Sequence, residues 1–359
     1  MKLDWLQIHQ VRNLSNIKIY PAPRINLFSG PNASGKTAII EAIYLLSRTR
    51  SFRTPRVSEL VQHGQATMRV SAGLRHGESG EIRTGIEKGR GSTQILYNGE
   101  AVRKLSDQAK NVPLLLAAPD IEGPVTGDPR LRRHWLDWAM FHVEPTYLEA
   151  WKAYHRALRQ RNNLLKKQRL DNDSMHGWEI AMDARAVQLN QQRIDFLHQL
   201  SIEMEGFAEQ LLGFVPGIRL NPGWDTDQTL ASRLQFNRQH DWQIGYTRYG
   251  LHRADVEFLC NNMPLGAVCS RGQVKLFLIL LYIAQAAVTE AVTGIRPIYL
   301  LDDYTAEVDA RNREKIVQLL LDKGLQSFIT TAEEGVKLPR HQGSKMFHVE
   351  RGEVVKVIE

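Results

Sequence analysis

The sequence predicts an α/β protein: a mixed sheet flanked by helices, with a helical insertion arm. Three observations predict it. An apolar stretch, Ile25-Asn26-Leu27-Phe28, runs into a glycine-bounded loop and then into the helix-like run Ala38-Ile39-Ile40-Glu41-Ala42-Ile43. A second apolar strand, Ile298-Tyr299-Leu300-Leu301, ends in Asp302-Asp303. Between the two, from about 130 to 212, strand signals vanish and apolar residues recur every three to four positions.

The loop is Gly30-Pro31-Asn32-Ala33-Ser34-Gly35-Lys36-Thr37. It fits the P-loop pattern, and it has the strand–loop–helix context that the pattern needs. Successive backbone N–H groups of such a loop point inward and make an anion nest. The helix that follows adds its positive N-terminal end. Gly30, Asn32, Ser34 and Gly35 are therefore expected around a phosphate chain. Lys36 is expected at the β- and γ-phosphates, and the Thr37 hydroxyl on Mg²⁺. The chain is expected to bind a nucleoside triphosphate.

Length and composition bound the rest. At 359 residues the chain can bury a substantial core in two or three domains. Its apolar and charged fractions are those of a soluble globular protein. The two cysteines, Cys260 and Cys269, show no metal or redox spacing and are expected as small buried thiols, as suits a reducing cytosol. Met1 to Ile8 carries Lys2, Asp4 and Gln7, so no signal peptide is visible. The longest apolar run, Leu276 to Val288, is too short to span a membrane and reads as a buried helix.

The formal net charge is +7 and the sequence pI is about 9.3, which points toward a polyanionic partner. Arg48, Arg50, Arg53 and Arg56 crowd just after the P-loop helix. Lys152, Arg156, Arg159, Arg161, Lys166, Lys167 and Arg169 form a second run without an acidic residue between them. Such a run is either a solvated helix face or a nucleic-acid surface. Trp151, Tyr154 and His155 at its start add the aromatic component that nucleic-acid surfaces use.

Along the chain, residues 1–29 alternate apolar and polar in short pieces and read as two strands, the second feeding the loop. Residues 66–97 read as an antiparallel meander punctuated by glycines. Leu131–His142, Tyr147–Arg169 and Trp178–Leu212 read as helices, with Asp171-Asn172-Asp173-Ser174 as a polar turn. The last two make an antiparallel helical hairpin or an ordinary helical subdomain. Strands and turns return near Ile218 and at Gln243-Ile244-Gly245-Tyr246. A helix over 274–292, the strand ending at the acidic pair, a strand Ser327–Thr330 and a closing hairpin, 346–349 with 354–358, complete the chain. The expected partition is an N-terminal lobe 1–125, a helical arm lobe 126–240 and a C-terminal lobe 241–359.

An Asp at the end of a strand such as 298–301 helps hold Mg²⁺ in P-loop ATPases. The neighbouring carboxylate is placed to orient or deprotonate an attacking water. Lys36 and Asp302 nevertheless lie near opposite ends of the chain, so a long insertion must split one ATPase core. Ser270-Arg271-Gly272-Gln273, just before the 274–292 helix, resembles the signature motif of ABC-type ATPases. Ser270 also suits a helix N-cap, and both roles are compatible. Ala306-Glu307-Val308-Asp309 resembles the ABC D-loop.

In this order the motifs resemble the head of SMC-like ABC ATPases. Several stretches are similar to the RecF family of bacterial DNA replication and repair proteins. These are Val11-Arg12-Asn13-Leu14; Glu41-Ala42-Ile43-Tyr44 followed by Ser51-Phe52-Arg53; the run from Pro129 to Trp138; Gly250-Leu251-His252-Arg253-Ala254-Asp255; Ser270-Arg271-Gly272-Gln273; and Asp302-Asp303. The resemblance runs nearly end to end. It implies an ABC-type P-loop ATPase head, with ATP and Mg²⁺ as cofactors and a cytoplasmic location. It implies Lys36, Asp302 and Asp303 as catalytic residues, Thr37 and Asp302 at the metal, and Arg12, Asn13, Ser270, Gly272 and Gln273 on nucleotide. It implies an ATP-dependent homodimer in which the signature closes over the partner's ATP. It further implies binding to double-stranded and gapped DNA and single-strand junctions, with RecR and RecO as partners, recombinase loading, and a part in the SOS response. Arg50, Arg53 and Arg56 are the expected DNA contacts.

The chain departs from the family pattern at three places. Ala254 stands where the family often has Asp. The stretch Pro113–Asp120, which would hold the Q-loop, has no Gln. Thr331 stands where transporters carry a titratable switch His, so slow hydrolysis is expected. A chromosome scaffold of the SMC type is the alternative reading. The short arm argues against it, since helices of 25–35 residues reach only about 40–50 Å. A small-molecule kinase would lack the signature and keep its P-loop and acidic pair close in sequence.

Overall fold

Lys2–Ser29 folds into three strands rather than two, because Asn13 and the Pro21–Arg24 segment each break the alternation. They are β1 (Lys2–Val11), β2 (Leu14–Ile19) and β3 (Ile25–Ser29). The computed structural model describes residues 1–77, 80–118, 123–167, 171–333, 336 and 343–358. After the loop, helix α1 (Lys36–Arg48) leads to β4 (Thr67–Arg75), β5 (Ile82–Gly89), β6 (Ser92–Tyr97), β7 (Glu100–Ala101), helix α2 (Leu105–Asn111) and β8 (Leu114–Ala117). The expected meander is present as β4–β5–β6, and it joins β1 and β2 in an antiparallel sheet of order β2-β1-β4-β5-β6-β7. In β1, Leu3, Leu6, Ile8 and Val11 are buried, and the residues between them are half-buried.

The helical stretch makes α3 (Pro129–Val143), α4 (Tyr147–Leu165) and α5 (Asn172–Leu212). Asp128 caps α3 by accepting from the N–H groups of Arg130 and Leu131, with Pro129 at the first helical position. The Asp171–Ser174 segment is no separate turn. Asp171 accepts from the Ser174 N–H and so caps α5, which therefore runs 41 residues, about 60 Å. The chain continues through β9 (Gly217–Asn221), α6 (Leu230–Phe236), α7 (Arg238–Ile244), β10 (Asp255–Cys260), β11 (Met263–Pro264) and α8 (Leu265–Val268). The expected strand or turn at 243–246 is the end of α7, stopped by Gly245 in the left-handed region. Cys260 and Cys269 are half-exposed free thiols, not buried ones.

The C-terminal segment forms α9 (Arg271–Thr293), β12 (Ile298–Leu301), α10 (Ala310–Asp322), β13 (Ser327–Thr331), β14 (Lys345–Glu350) and β15 (Glu353–Ile358). Its strands take β3 and β8 into one mixed sheet of order β15-β14-β3-β13-β12-β8. Five of these strands, β14, β3, β13, β12 and β8, run parallel. β12 and β8 are continuous apolar runs, and β3 nearly so, because both faces are covered. α1 lies in the core shared by the two large sheets. Its Ile39, Ile40, Ile43 and Leu46 pack among Leu6, Ile8 and Val70 of one sheet and Phe28, Leu300 and Phe328 of the other. α9 is long and apolar enough to cross a membrane, but Leu276, Phe277, Ile279, Leu280 and Ile283 are buried inside the fold.

By their contacts, Met1–Ile121 and Arg271–Glu359 form one unit and Glu122–Ser270 another. The stretch from 241 to 270 thus groups with the helices. The second unit is built around Arg161, which is fully buried. Its guanidinium donates to Asp241 Oδ2 and Thr247 Oγ1, each at 2.8 Å, to Glu179 Oε1 at 3.2 Å and to the Leu234 carbonyl at 3.2 Å. Arg238 completes the group by donating to Glu179 Oε2 at 2.6 Å. One member of the basic run is therefore core. Lys152, Arg156, Arg159, Lys166 and Lys167 are exposed, and Arg169 lies outside the described residues.

Replacing Arg161 by Met leaves Glu179 and Asp241 in the interior without their shared cation. Breaking such a group from one side costs about 3–5 kcal/mol. Urea unfolding should show a loss of that size. Arg156→Met, on the exposed face, should change stability by less than about 0.5 kcal/mol.

Candidate functional site

The strand register builds the site. Ser29 pairs with Thr331 across β3 and β13, and Leu301 pairs with Ile329 across β12 and β13. The carboxyl ends of three parallel strands thus reach one sheet edge, the usual position of a ligand in such sheets. The loop after β3, the acidic pair after β12 and residues 330–332 at the end of β13 all emerge there.

The loop keeps its shape through close approaches that only glycine allows. A Cβ on Gly30 would stand 2.2 Å from the Val349 carbonyl oxygen, and one on Gly35 would stand 2.7 Å from Leu14 Cδ2. Both have positive φ, 146° and 117°. From outside, Asn13 Nδ2 donates to the Ala33 carbonyl at 3.2 Å and the Gly352 N–H to the Ser34 carbonyl at 2.8 Å. Lys36 opens α1 and is only 7% exposed. Its ammonium donates to the Gly30 and Pro31 carbonyls at 2.7 and 2.6 Å. Burial lowers its pKa, against the opposing pull of Asp303 and Asp302.

The acidic pair meets the loop directly. Thr37 Oγ1 donates to Asp302 Oδ1 at 3.0 Å, and Thr330 Oγ1 donates to the same oxygen at 2.6 Å. Burial raises the Asp302 pKa. The two threonine hydrogen bonds and the charge of Arg53 work against that rise. The Asp303 N–H donates to Thr330 Oγ1 at 2.7 Å, and Asp303 sits at φ 47°, a left-handed position that favours glycine. Thr37 and Asp302 present adjacent oxygen donors, the ligand type that Mg²⁺ prefers, so the pair fits that ion.

A cavity of about 570 Å³ opens over these groups, the size of a small-molecule site. Its wall includes Arg12, Asn13, Asn32, Ser34, Gly35, Lys36, Thr37 and Asp303. It also includes Arg53, Thr330 and Ala332. Arg53, expected at DNA, is exposed and lines this wall. The route runs through Glu41, which is fully buried. Arg12 donates to both of its carboxylate oxygens, at 2.6 and 2.8 Å, and Ser51 Oγ donates to it as well. Ser51 Oγ in turn accepts the Arg53 N–H at 2.9 Å. Arg50 and Arg56 are exposed outside the wall, and Arg56 pairs with Glu59 at 3.2 Å.

Thr331 does not line the cavity. Strand alternation turns Thr330 and Ala332 to the cavity, while Thr331 is buried against Thr305 Oγ1 at 2.9 Å. Thr330 is the site residue that sequence reasoning missed. Only the two-residue period of β13, counted from the cavity, would have found it. Gly272 and Gln273 lie in the first turn of α9 and outside the cavity wall, and Ser270 is an exposed residue preceding that helix. Asp309 caps α10 by accepting from the Asn312 N–H at 3.0 Å. Ala254, in the helical unit, is buried, and its carbonyl accepts from Arg133 Nη1 at 2.7 Å. Leu114–Ala117 of the Q-loop stretch is β8, and residues 119–120 lie outside the described residues.

Comparison with known proteins gives the family and the fold. Residues 2–354 match the RecF/RecN/SMC N terminal domain family. The chain is 34% identical over 364 residues to the DNA replication and repair protein RecF of Nitrosococcus oceani, covering 100% of both chains. It is 35% identical over 365 residues to that of Cellvibrio japonicus, covering 99% of both. Its fold is similar to a solved structure described as the recombination mediator protein RecF-ATPrS in the RecFOR pathway. There the TM-score is 0.82 and the identity 26%, over 98% of this chain and 97% of that one. An Smc head domain from Pyrococcus furiosus, bound to the C-terminal domain of ScpA, shares the fold at a TM-score of 0.59 and 15% identity, over 99% and 95% of the chains. The chain belongs to the RecF family, and its fold is that of an ABC-type ATPase head with a helical arm.

Two substitutions test the site. Lys36→Ala removes the loop's cation and should abolish tight binding of a fluorescent ATP analogue. Thr330→Val takes one hydrogen bond from Asp302 and the acceptor from the Asp303 N–H. Loss of such a supporting contact costs about 10–100-fold in metal-dependent affinity. The loss should appear in titrations with Mg²⁺ and largely vanish in EDTA.

Proposed function

We propose that this RecF-family chain is an ATP-dependent DNA-binding ATPase of recombinational repair. It dimerises on ATP at gapped DNA or stalled forks and helps load recombinase on single strands, with RecR and RecO, in replication restart and SOS induction. Such work places it in the cytoplasm. The observation that carries the reading is the 3.0 Å contact between Thr37, in the wall of a cavity of small-molecule size, and Asp302. The ATPrS named in the description of the similar RecF structure supports it.

In this reading the N–H groups of residues 32–37 and the Lys36 ammonium bind the β- and γ-phosphates of ATP. Thr37 and Asp302 hold Mg²⁺, which supplies charge neutralisation at the phosphates when bound. Arg12, Asn13 and Arg53 line the remaining wall and orient the nucleotide. Asp303, in the wall with its carboxylate beside the loop, accepts a proton from the attacking water. The absence of a titratable group at Thr330 and Thr331 favours slow turnover.

Gly272 and Gln273 stand outside their own chain's cavity, which supports a signature that serves the ATP of a second copy. For DNA, the exposed Lys152, Arg156, Arg159 and Lys166 recur at three-, four- and seven-residue steps and share one face of α4 and its end. With Arg53 in the nucleotide wall and Arg56 paired with Glu59, this face is the stronger candidate, and Arg50 and Arg56 are the second. Both offer phosphate contacts and no base-reading module.

Asp303→Asn should leave ATP binding intact, slow hydrolysis by about 10²–10⁴ and trap the ATP-bound dimer. Hydrolysis at the wild-type rate would assign the base to another residue. Ser270→Arg should block ATP-driven dimerisation, read as molecular mass in solution, while the monomer still binds ATP. For DNA, log affinity should fall with log salt at a slope of about −0.9 per phosphate neutralised. Lys152→Ala, Arg156→Ala and Arg159→Ala together should flatten that slope for all sequences alike. An unchanged slope removes the α4 face from the DNA surface.

A further inference from the structure

Lys275 lies on α9 one turn beyond Gly272, and it is buried. Its Nζ donates to the Asp303 carbonyl and to the Ala306 carbonyl, each at 2.6 Å. Beside it, Gly272 approaches the Glu307 carbonyl so closely that a Cβ there would stand 2.7 Å away. The Asp303 peptide is thus held from two sides. Its N–H goes to Thr330 of β13, and its carbonyl goes to the helix whose first turn carries Gly272 and Gln273. Its left-handed φ of 47° is a conformation that persists in a non-glycine residue only where surrounding contacts hold it.

We propose that Lys275 is a positioning residue that couples Asp303 to engagement of Gly272 and Gln273 by a second copy of this chain. The inference rests on the roles proposed above for Asp303 and the signature. The contact is a charge-assisted bond pair inside the fold, the strong kind. Gly272 and Lys275 stand three residues apart on one continuous helix and move together. A shift of the first turn of α9, when it takes up the partner's phosphate, therefore pulls on the Asp303 carbonyl and resets its carboxylate. A displacement of about 1 Å at a reacting group changes rate by on the order of 10²-fold.

Lys275→Met keeps an unbranched side chain of nearly the same length and removes the donors. In this variant ATP-analogue affinity and ATP-driven dimer mass stay near wild type. Its kcat falls about 10–100-fold with KM unchanged, as expected for a group that acts only in the chemical step. Turnover per protomer no longer rises with protein concentration. Lys275→Arg, which keeps a cationic donor, recovers most of the lost turnover. In the wild-type protein, amide hydrogen exchange over residues 303–309 slows when ATP drives dimerisation. Three results overturn the inference: wild-type kcat in the Met variant, loss of the dimer together with kcat, or exchange over 303–309 that dimerisation leaves unchanged. The last is read on the wild-type chain and needs no variant to fold. If the wild-type chain forms no dimer on ATP, both this inference and the reading it rests on fail. A normal wild-type dimer with any of the three results overturns this inference alone.

Discussion

Asp302 Oδ1 accepts hydrogen bonds from Thr37 and from Thr330, and through it the first turn of α1 is joined to two strands from the far end of the chain. The contact spans 265 positions in sequence between Thr37 and Asp302. It exists because β3, β13 and β12 run parallel and in register, so their carboxyl ends arrive together. A buried carboxylate is costly unless hydrogen bonds hold it. Here both donors are threonine hydroxyls, which orient the carboxylate without neutralising it.

A second node sits behind the first. Glu41 is completely buried and takes Arg12 on both oxygens and Ser51 on one. Three separate stretches, the β1–β2 turn, the middle of α1 and the segment after α1, meet on that single carboxylate. Its effect is to bring Arg12 and Arg53 into the wall of one cavity. Arginines near such a wall read in sequence as a polyanion-binding cluster, because a run of like charges carries no information about which members turn inward.

The same point holds for the α4 run. Arg161 is spaced like its neighbours, yet it is fully buried, sharing Glu179 and Asp241. The carboxylates that neutralise it come from α5 and α7. No local feature of residues 152–169 distinguishes it from Arg159 or Lys166, which stay in water.

Sequence by itself determined the parts whose chemistry is local. The P-loop was legible because a phosphate nest needs glycine at set positions between a strand and a helix. Two of the buried parallel strands, β3 and β12, were legible because near-continuous apolar runs of four residues have few other uses. The end-to-end family likeness followed from such motifs in fixed order. Tertiary structure alone decided what depends on distant partners. It showed that Asp171–Ser174 caps one long helix, that Thr330 rather than Thr331 faces the cavity, and that Lys275 and Gly272 grip the turn after Asp303. Each of these is set by which atoms a backbone turn or side chain meets across the fold, and residue type constrains that only after the strands have found their register.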